Sequence, residues 1–592
     1  MKTYHRLFVV PGPGWRTALL ALTLLVFPTL PQGSAFGAVS VLNSPHNLSA
    51  SGGRHGKHGV AFAEEQRVCI FCHAPHNTST VGPLWGRGLS AESRYNPYDS
   101  TTLKATPKPD KPTGASRLCL SCHDGTIALG QFVGSTITNS AVMPWDANPT
   151  NNSNLTTDLS NSHPISFAYS AALASAQGEL AFPAALPAKV KLEHGVLQCT
   201  ACHDPHNYEF RNFLVLDNNA SGSPLCVACH KNNGWPTSAH NPAITPALAS
   251  ACMSCHYAHS APEPARLLQS KREEDNCLHC HNNTGGAQQN LKQLFDPAMH
   301  RHPVDLTTGV HDENERLPAQ MAHVECVDCH NPHQANAGNM PLASPPFING
   351  PLAGVRIDNA AGIATKEYQI CFKCHAGLNS NKFAGISETP PNRVIQESDQ
   401  SKRFDGANPS FHPVMAQSRT GNSSLLTTLQ SSMIMIYCSD CHNSEQSTRA
   451  GGVGPSGPHG SRWEHILIAR YDMPLVTATP PPYAAGLYDL CYRCHYENFI
   501  MVSGSGFVNG LVNEHAKHVK ERGIPCYVCH DPHGVSTQSI PPATTKNNAH
   551  LINFNRDYAA STAIPIPSYS STTSPKSCNV SCHPGGIRTY AP

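Results

Sequence analysis

The sequence predicts a chain of mostly irregular, loop-rich backbone with short α-helices and little β-sheet, folded around a core that its own side chains do not supply. Three observations lead there. Proline is abundant, 50 of 592 residues, and runs such as Pro480-Pro481-Pro482 and the text NPTNNSNLTTDLSNS read as loop. Only 14% of residues are charged and 7% aromatic, which is lean for conventional packed domains. The 24 cysteines fall into twelve close pairs, the second of each is followed at once by His, and none is left over.

From the N-terminus, Lys2, Arg6 and Arg16 precede an apolar run, Ala18 to Leu30, which Pro28 interrupts. Small residues follow around Gly33, Ser34, Ala35, Gly37 and Ala38. This reads as a secretory signal peptide over residues 1–38. No later stretch reaches about 18 apolar residues, so no internal membrane span is expected. A formal charge of +1 excludes a polybasic nucleic-acid binder. The spacing of the cysteine pairs divides the rest coarsely into 39–190 (pairs one and two), 191–300 (three to six), 301–435 (seven and eight) and 436–592 (nine to twelve). Segment ends are expected to pack across these boundaries.

The cysteine pairs carry the chemistry. In order they are Cys69/Cys72 with His73, Cys119/Cys122 with His123, Cys199/Cys202 with His203, and Cys226/Cys229 with His230. Then come Cys252/Cys255 with His256, Cys277/Cys280 with His281, Cys326/Cys329 with His330, and Cys371/Cys374 with His375. The last four are Cys438/Cys441 with His442, Cys491/Cys494 with His495, Cys526/Cys529 with His530, and Cys578/Cys582 with His583. C-x-x-C-H is the attachment signature of c-type haem. Two thiols add across the vinyl groups of one porphyrin edge, and the adjacent imidazole binds the iron from the proximal side. The twelfth, CNVSCH, has one extra residue, so its turn must bulge, but it keeps both thiols and the His. Zinc sites do not require a His directly after every second Cys, and disulfides do not require it at all. Twelve covalently attached haem c groups with their iron are the expected cofactors.

Sixth ligands are expected from the remaining histidines. His76, His206, His259, His333 and His533 lie three residues beyond a proximal His, four of them directly after Pro. Each proximal His already holds the near face of its own ring, so these imidazoles are expected to reach the iron of a neighbour. Others lie upstream of motifs (His194, His240, His323, His518), in His-Pro pairs (His163, His302, His412), in GPHGS (His459) and in SPHNLS (His46). His55, His58, His279, His300, His311, His465, His515 and His550 are less favoured.

With these motifs the chain resembles the multihaem c-type cytochromes of anaerobic, metal-reducing and sulfate-reducing bacteria. The likeness rests on the C-x-x-C-H array, the C-x-x-C-H-x-P-H doublets, and the texts VCIFCHAPHN and SRLCLSCHDGTIALG, and spans about residues 46 to 583. It implies bis-histidine haems stacked in a continuous chain, used for electron transfer to or across the cell surface. The implied place is the periplasm, the outer membrane or the extracellular side. The implied partners are other redox proteins, such as an outer-membrane porin–cytochrome complex, and metal or mineral acceptors. Iron with two imidazoles has no open position for substrate, so electron transfer rather than catalysis is expected. Two alternatives remain. A multihaem reductase would need an open iron, and the C-x-x-C-K of one such reductase does not occur here. A filament subunit would need one His given to the next protomer, for which His46 is the candidate.

Overall fold

The structure, a computed structural model, describes residues 40–52, 60–76, 82, 84–100, 102–218, 222–248, 250–283, 289–304, 324–336, 343–357, 362–377, 392–419, 422–430, 433–471, 482–537, 549–570, 576–583 and 587–590. The leader and His323 lie outside these. Among the described residues the longest α-helix, Gly114–His123, has ten residues. The sheets among the described residues are three two-stranded pairs and one three-stranded antiparallel sheet, with isolated bridges beside them. The backbone is mostly loop with short helices and little sheet, as the proline content requires. No described helix is long and apolar enough to cross a membrane.

The local structure alternates along the array. Even-numbered motifs sit at or beyond the end of a helix. Motif two closes Gly114–His123, motif eight closes Glu367–His375, and Pro224–Val227, Glu273–Leu278 and Asp489–Tyr492 run into motifs four, six and ten. Acidic residues occupy the first turn, Glu273, Glu274 and Asp275 at motif six and Glu367 at motif eight, but burial pushes Glu273 up to about 9 and raises Glu274 and Glu367, against the anion a helix dipole favours. At motif two the acid comes from elsewhere: the Ala115 amide donates to Glu193 Oε2 at 2.9 Å. Gly114 (φ 48°) lets the two approach, since a Cβ there would lie 2.7 Å from Glu193 Oε1.

Odd-numbered motifs begin on a single turn instead: Cys69–Phe71, Cys199–Ala201, Ala251–Ser254 and Cys438–Asp440 as 3-10 turns, Cys326–Cys329 and Cys526–Cys529 as one α-turn. Five of these six share one hairpin. After motif one, Ala74 N–H donates to the Leu84 carbonyl and Gly86 N–H to that of Cys72. The same two bonds recur as Asp204–Phe213 and Val215–Cys202, Tyr257–Leu267 and Gln269–Cys255, Asn443–Ile466 and Ile468–Cys441, and Asp531–Leu551 and Asn553–Cys529. Each return turn holds a bulky residue in the left-handed region: Leu84, Phe213, Leu267, Ile466 and Leu551, at φ 54 to 61°. Such residues are strained there and persist only where the surroundings fix them. The twelfth motif departs from both patterns. Cys578 lies on the strand Lys576–Asn579, and the extra residue of CNVSCH is absorbed where that strand ends.

Apolar packing is fragmented. The largest buried cluster joins eight residues, among them Phe167, Tyr169, Leu173 and Leu197, and the other five hold three or four each. A continuous cavity of about 7240 Å³ runs between them, lined by thiols from all twelve motifs. That is about 600 Å³ per motif, within the roughly 300–1,000 Å³ of an ordinary cofactor site.

Candidate functional site

None of the 24 cysteines is in a disulfide. They approach one another instead in a fixed order. First cysteines lie side by side in pairs: Cys119 with Cys199, Cys226 with Cys252, Cys277 with Cys326, Cys371 with Cys438, and Cys491 with Cys526. Second cysteines pair the other way: Cys72 feels Cys122, Cys202 feels Cys229, Cys255 feels Cys280, Cys441 feels Cys494, and Cys329 and Cys529 feel the thiols of the following motif. Motifs adjacent in sequence are therefore adjacent in space from one to twelve, through alternating edges. Burial, and then the neighbouring thiols, push Cys72, Cys202, Cys441 and Cys529 up to about 12, so these sulfurs stay protonated in the chain as folded. Among the described residues one set, Glu273, Cys277 and Cys326, is compact enough for a metal ion, and its thiols belong to motifs six and seven.

Every proximal imidazole faces one other histidine. Motif by motif the partners are His73 with His206 (ring centroids 6.1 Å apart), His123 with His46 (6.2 Å), His203 with His259 (6.3 Å) and His230 with His163 (6.2 Å). Next are His256 with His333 (6.2 Å), His281 with His240 (6.4 Å), His330 with His459 (6.0 Å) and His375 with His302 (6.5 Å). The last are His442 with His533 (5.9 Å), His495 with His412 (6.2 Å), His530 with His515 (6.3 Å) and His583 with His518 (5.8 Å). Imidazoles on opposite sides of one metal, each with a metal–nitrogen bond of about 2.0 Å, have centroids about 6.3 Å apart. The pairs fit a six-coordinate iron between them.

Second contacts orient the rings. The Nδ1 of a proximal His meets a carbonyl at the return turn: His203 to Asn212 at 2.8 Å, His256 to Arg266 at 2.9 Å, His442 to His465 at 2.8 Å and His530 to His550 at 2.7 Å. The left-handed backbone of Asn212, His465 and His550 aims those carbonyls inward. With Nδ1–H bonded, Nε2 is the lone-pair nitrogen turned to the facing ring. Burial, reinforced by neighbouring imidazoles, lowers His46, His230, His333 and His375 to about 4 and His259, His459 and His515 to about 3, which keeps these rings neutral and able to coordinate.

The partners follow a rule of pairs. An odd motif meets the His that trails the motif two further on: His206, His259, His333, His459 and His533 serve motifs one, three, five, seven and nine. An even motif meets a His from upstream of the odd motif preceding it: His46, His163, His240, His302, His412 and His518. The two sets are clipped together. The upstream His of one pair of motifs bonds the carbonyl just before the trailing His of the next pair: His240 to Pro332 at 3.0 Å, His302 to Pro458 at 2.7 Å, His412 to Pro532, and His46 to Pro205. His163 makes the equivalent contact through its amide, to Ala258 O at 2.8 Å.

Eleven of the favoured histidines thus stand against a proximal ring. His76 and His194 are exposed and face none. His515, less favoured from sequence, takes the place opposite His530. His515 lies three residues before His518, in the same segment upstream of motif eleven.

Residues 247–410 match a family described as outer membrane cytochrome MtrC/MtrF-like, domains II/IV, and residues 193–234 match a doubled CXXCH motif family. The chain is 28% identical over 149 residues to a multiheme cytochrome MtrA of Shewanella baltica. That match covers 23% of this chain and 36% of the relative, so it spans about a third of the relative's length.

Proposed function

On the footing that the chain is a multihaem c-type cytochrome, we propose that it conducts electrons through twelve haem c groups in single file, from motif one to motif twelve. The observation that carries this reading is the pairing of all twelve proximal imidazoles with a second histidine at 5.8 to 6.5 Å. The residues to hold each haem are the two thiols of its motif, the proximal His and the His facing it; when bound, haem supplies a one-electron iron centre. The chain's part is to keep neighbouring attachment points in contact and to fill both axial sides. The alternating contacts of first and second cysteines support an unbranched order, and they hold across the whole array rather than in its densest stretch alone. Cys199 to His281 holds four motifs at intervals of 27, 26 and 25 residues, yet motifs eight and nine, 67 apart, touch in the same way. Chain spacing is not what sets proximity.

Two imidazoles per site leave no position for a substrate, which favours electron transfer over a reductase. His46, the residue a filament subunit would have given away, faces His123 of its own chain at 6.2 Å. Export and a place at the outer membrane or beyond it, with other redox proteins or a porin–cytochrome complex as partners, draw support from the MtrC/MtrF-like and MtrA likenesses. Electron paramagnetic resonance of the oxidised holoprotein tests the proposal. Low-spin signals alone are expected, and a strong high-spin signal that shifts on adding cyanide or nitrite would point to an open, catalytic iron.

A further inference from the structure

His76 breaks the rule of pairs in a way that identifies a docking surface. It stands three residues beyond His73 in CHAPH, the register of His206, His259, His333 and His533. The backbone around it is the shared hairpin, with the Ala74–Leu84 and Gly86–Cys72 bonds and Leu84 at φ 59°. After motifs three, five, seven and eleven the His in this register does two things, and the Pro458–His459 turn does the same beyond motif nine. That His crosses to the proximal ring of the preceding odd motif, and the carbonyl before it holds the upstream His of the preceding pair. No C-x-x-C-H precedes Cys69 in this sequence. Among the described residues, no proximal ring faces His76 and no amide or imidazole takes up the Pro75 carbonyl.

The opposite end of the array shows what a closed end looks like. Motif eleven would draw its second His from a thirteenth motif. His515 stands there instead, 6.3 Å from His530. His518, which would bond the turn of a following pair, donates its Nδ1–H to the Glu514 carbonyl four residues back at 2.7 Å. The C-terminal face is filled from within, so a second copy of this chain offers no complement to the Pro75–His76 turn.

We propose that this turn docks a partner c-type cytochrome whose penultimate haem lacks a sixth protein ligand, so that the partner's last haem comes to lie between that haem and motif one. His76 Nε2 displaces water from that iron, and the Pro75 carbonyl accepts a hydrogen bond from a histidine of the partner. The junction would continue the interface already repeated five times within the chain, and it makes motif one the port where electrons enter or leave. The inference rests on reading the paired imidazoles as axial ligands.

The probe is a ferric haem c peptide with one proximal His and water as sixth ligand, titrated into the holoprotein. Wild type should bind it and convert its high-spin signal to low-spin. His76→Ala should weaken that binding about tenfold or more, while His194→Ala, at an exposed site outside the register, should leave it unchanged. Equal binding by His76→Ala and wild type, or no binding by wild type, overturns the proposal. Sedimentation of wild type as a dimer that His76→Ala dissolves also overturns it, by making a second copy the occupant. If the holoprotein's own irons are high-spin before any peptide is added, the reading of axial ligands fails first, and the proposal with it.

Discussion

The two ends of the array start from one turn and finish differently. At the N-terminal end the turn after motif one presents His76 outward, and two opposite charges are buried nearby without pairing: Asp124 accepts from the Ser90 and Tyr95 hydroxyls, and Arg87 turns to backbone carbonyls. Arg87, only 2% exposed, donates from its guanidinium to the carbonyls of Leu129 (2.8 Å), Ala128 (2.9 Å) and Ser121 (3.4 Å). At the C-terminal end, His515 and His518 lie one helical turn apart and face the proximal rings of motifs eleven and twelve. The buried charges there are paired, Asp531 with Arg393 and Arg403. Burial raises Asp531, but Arg403 and Arg393 outweigh it and hold the carboxyl below its ordinary range, with Asn553 Nδ2 donating at 3.1 Å. A repeating interface leaves one unmatched donor and one unmatched acceptor wherever it stops. This chain resolves the mismatch at one end and leaves it standing at the other.

Withholding haem should affect both ends alike and most severely. The side-chain core is six separate clusters around one long cavity, too little buried apolar surface to hold the chain together unaided. Produced without haem attachment, the chain should lose protease resistance along its whole length. A haem-free chain as resistant as the holoprotein would show that side chains alone supply the core.

Charge removal should separate the ends. Asp531→Ala leaves Arg393 and Arg403 facing each other without their carboxylate, a loss of about 3–5 kcal/mol in holoprotein stability. Arg87→Met leaves three carbonyls without a donor, and a loss of about 1–3 kcal/mol is expected. Denaturant unfolding of the two variants checks the order. A larger loss at Arg87 would mean that the cation, not the anion, organises the fold.

The smallest effect is confined to one centre in twelve. His206→Met and His515→Met should each keep all haems attached through their thiols while raising one potential, because Met/His ligation is more oxidising than bis-His. His76→Met should change nothing in the isolated protein. Stepwise redox titration distinguishes the three. An unchanged profile in His515→Met would remove that residue from the axial set and leave motif eleven without a second imidazole.

Much of the site could be read from the sequence because its chemistry is local. Thiols and proximal His share one short motif. In the doublets, Pro stops the helix, and an Asp or Asn side chain caps the amide of the second His, as at His206 and Asp204 (3.0 Å) or His333 and Asn331 (3.0 Å). Such a turn can only point its imidazole away from its own motif. What stayed hidden depends on register or strain. His515 faces the proximal ring of its own following motif, outside the register that supplies the other odd motifs, so no local text announces it. The left-handed Leu84, Phe213, Leu267, Ile466 and Leu551 carry no glycine or asparagine to announce them, since the surrounding bonds rather than local preference hold them there. The alternation of helix-borne and turn-borne motifs was equally silent, because four-residue helices leave no periodicity to detect.

Anomalous scattering at the iron edge from crystals of the haem-loaded protein tests the account most directly. Twelve irons are expected in an unbranched file, in sequence order from motif one to motif twelve, each between the two imidazoles paired here, with His46 at motif two and His515 at motif eleven. A branched file, an order that departs from the sequence, or an iron with His76 from its own chain as sixth ligand would contradict it.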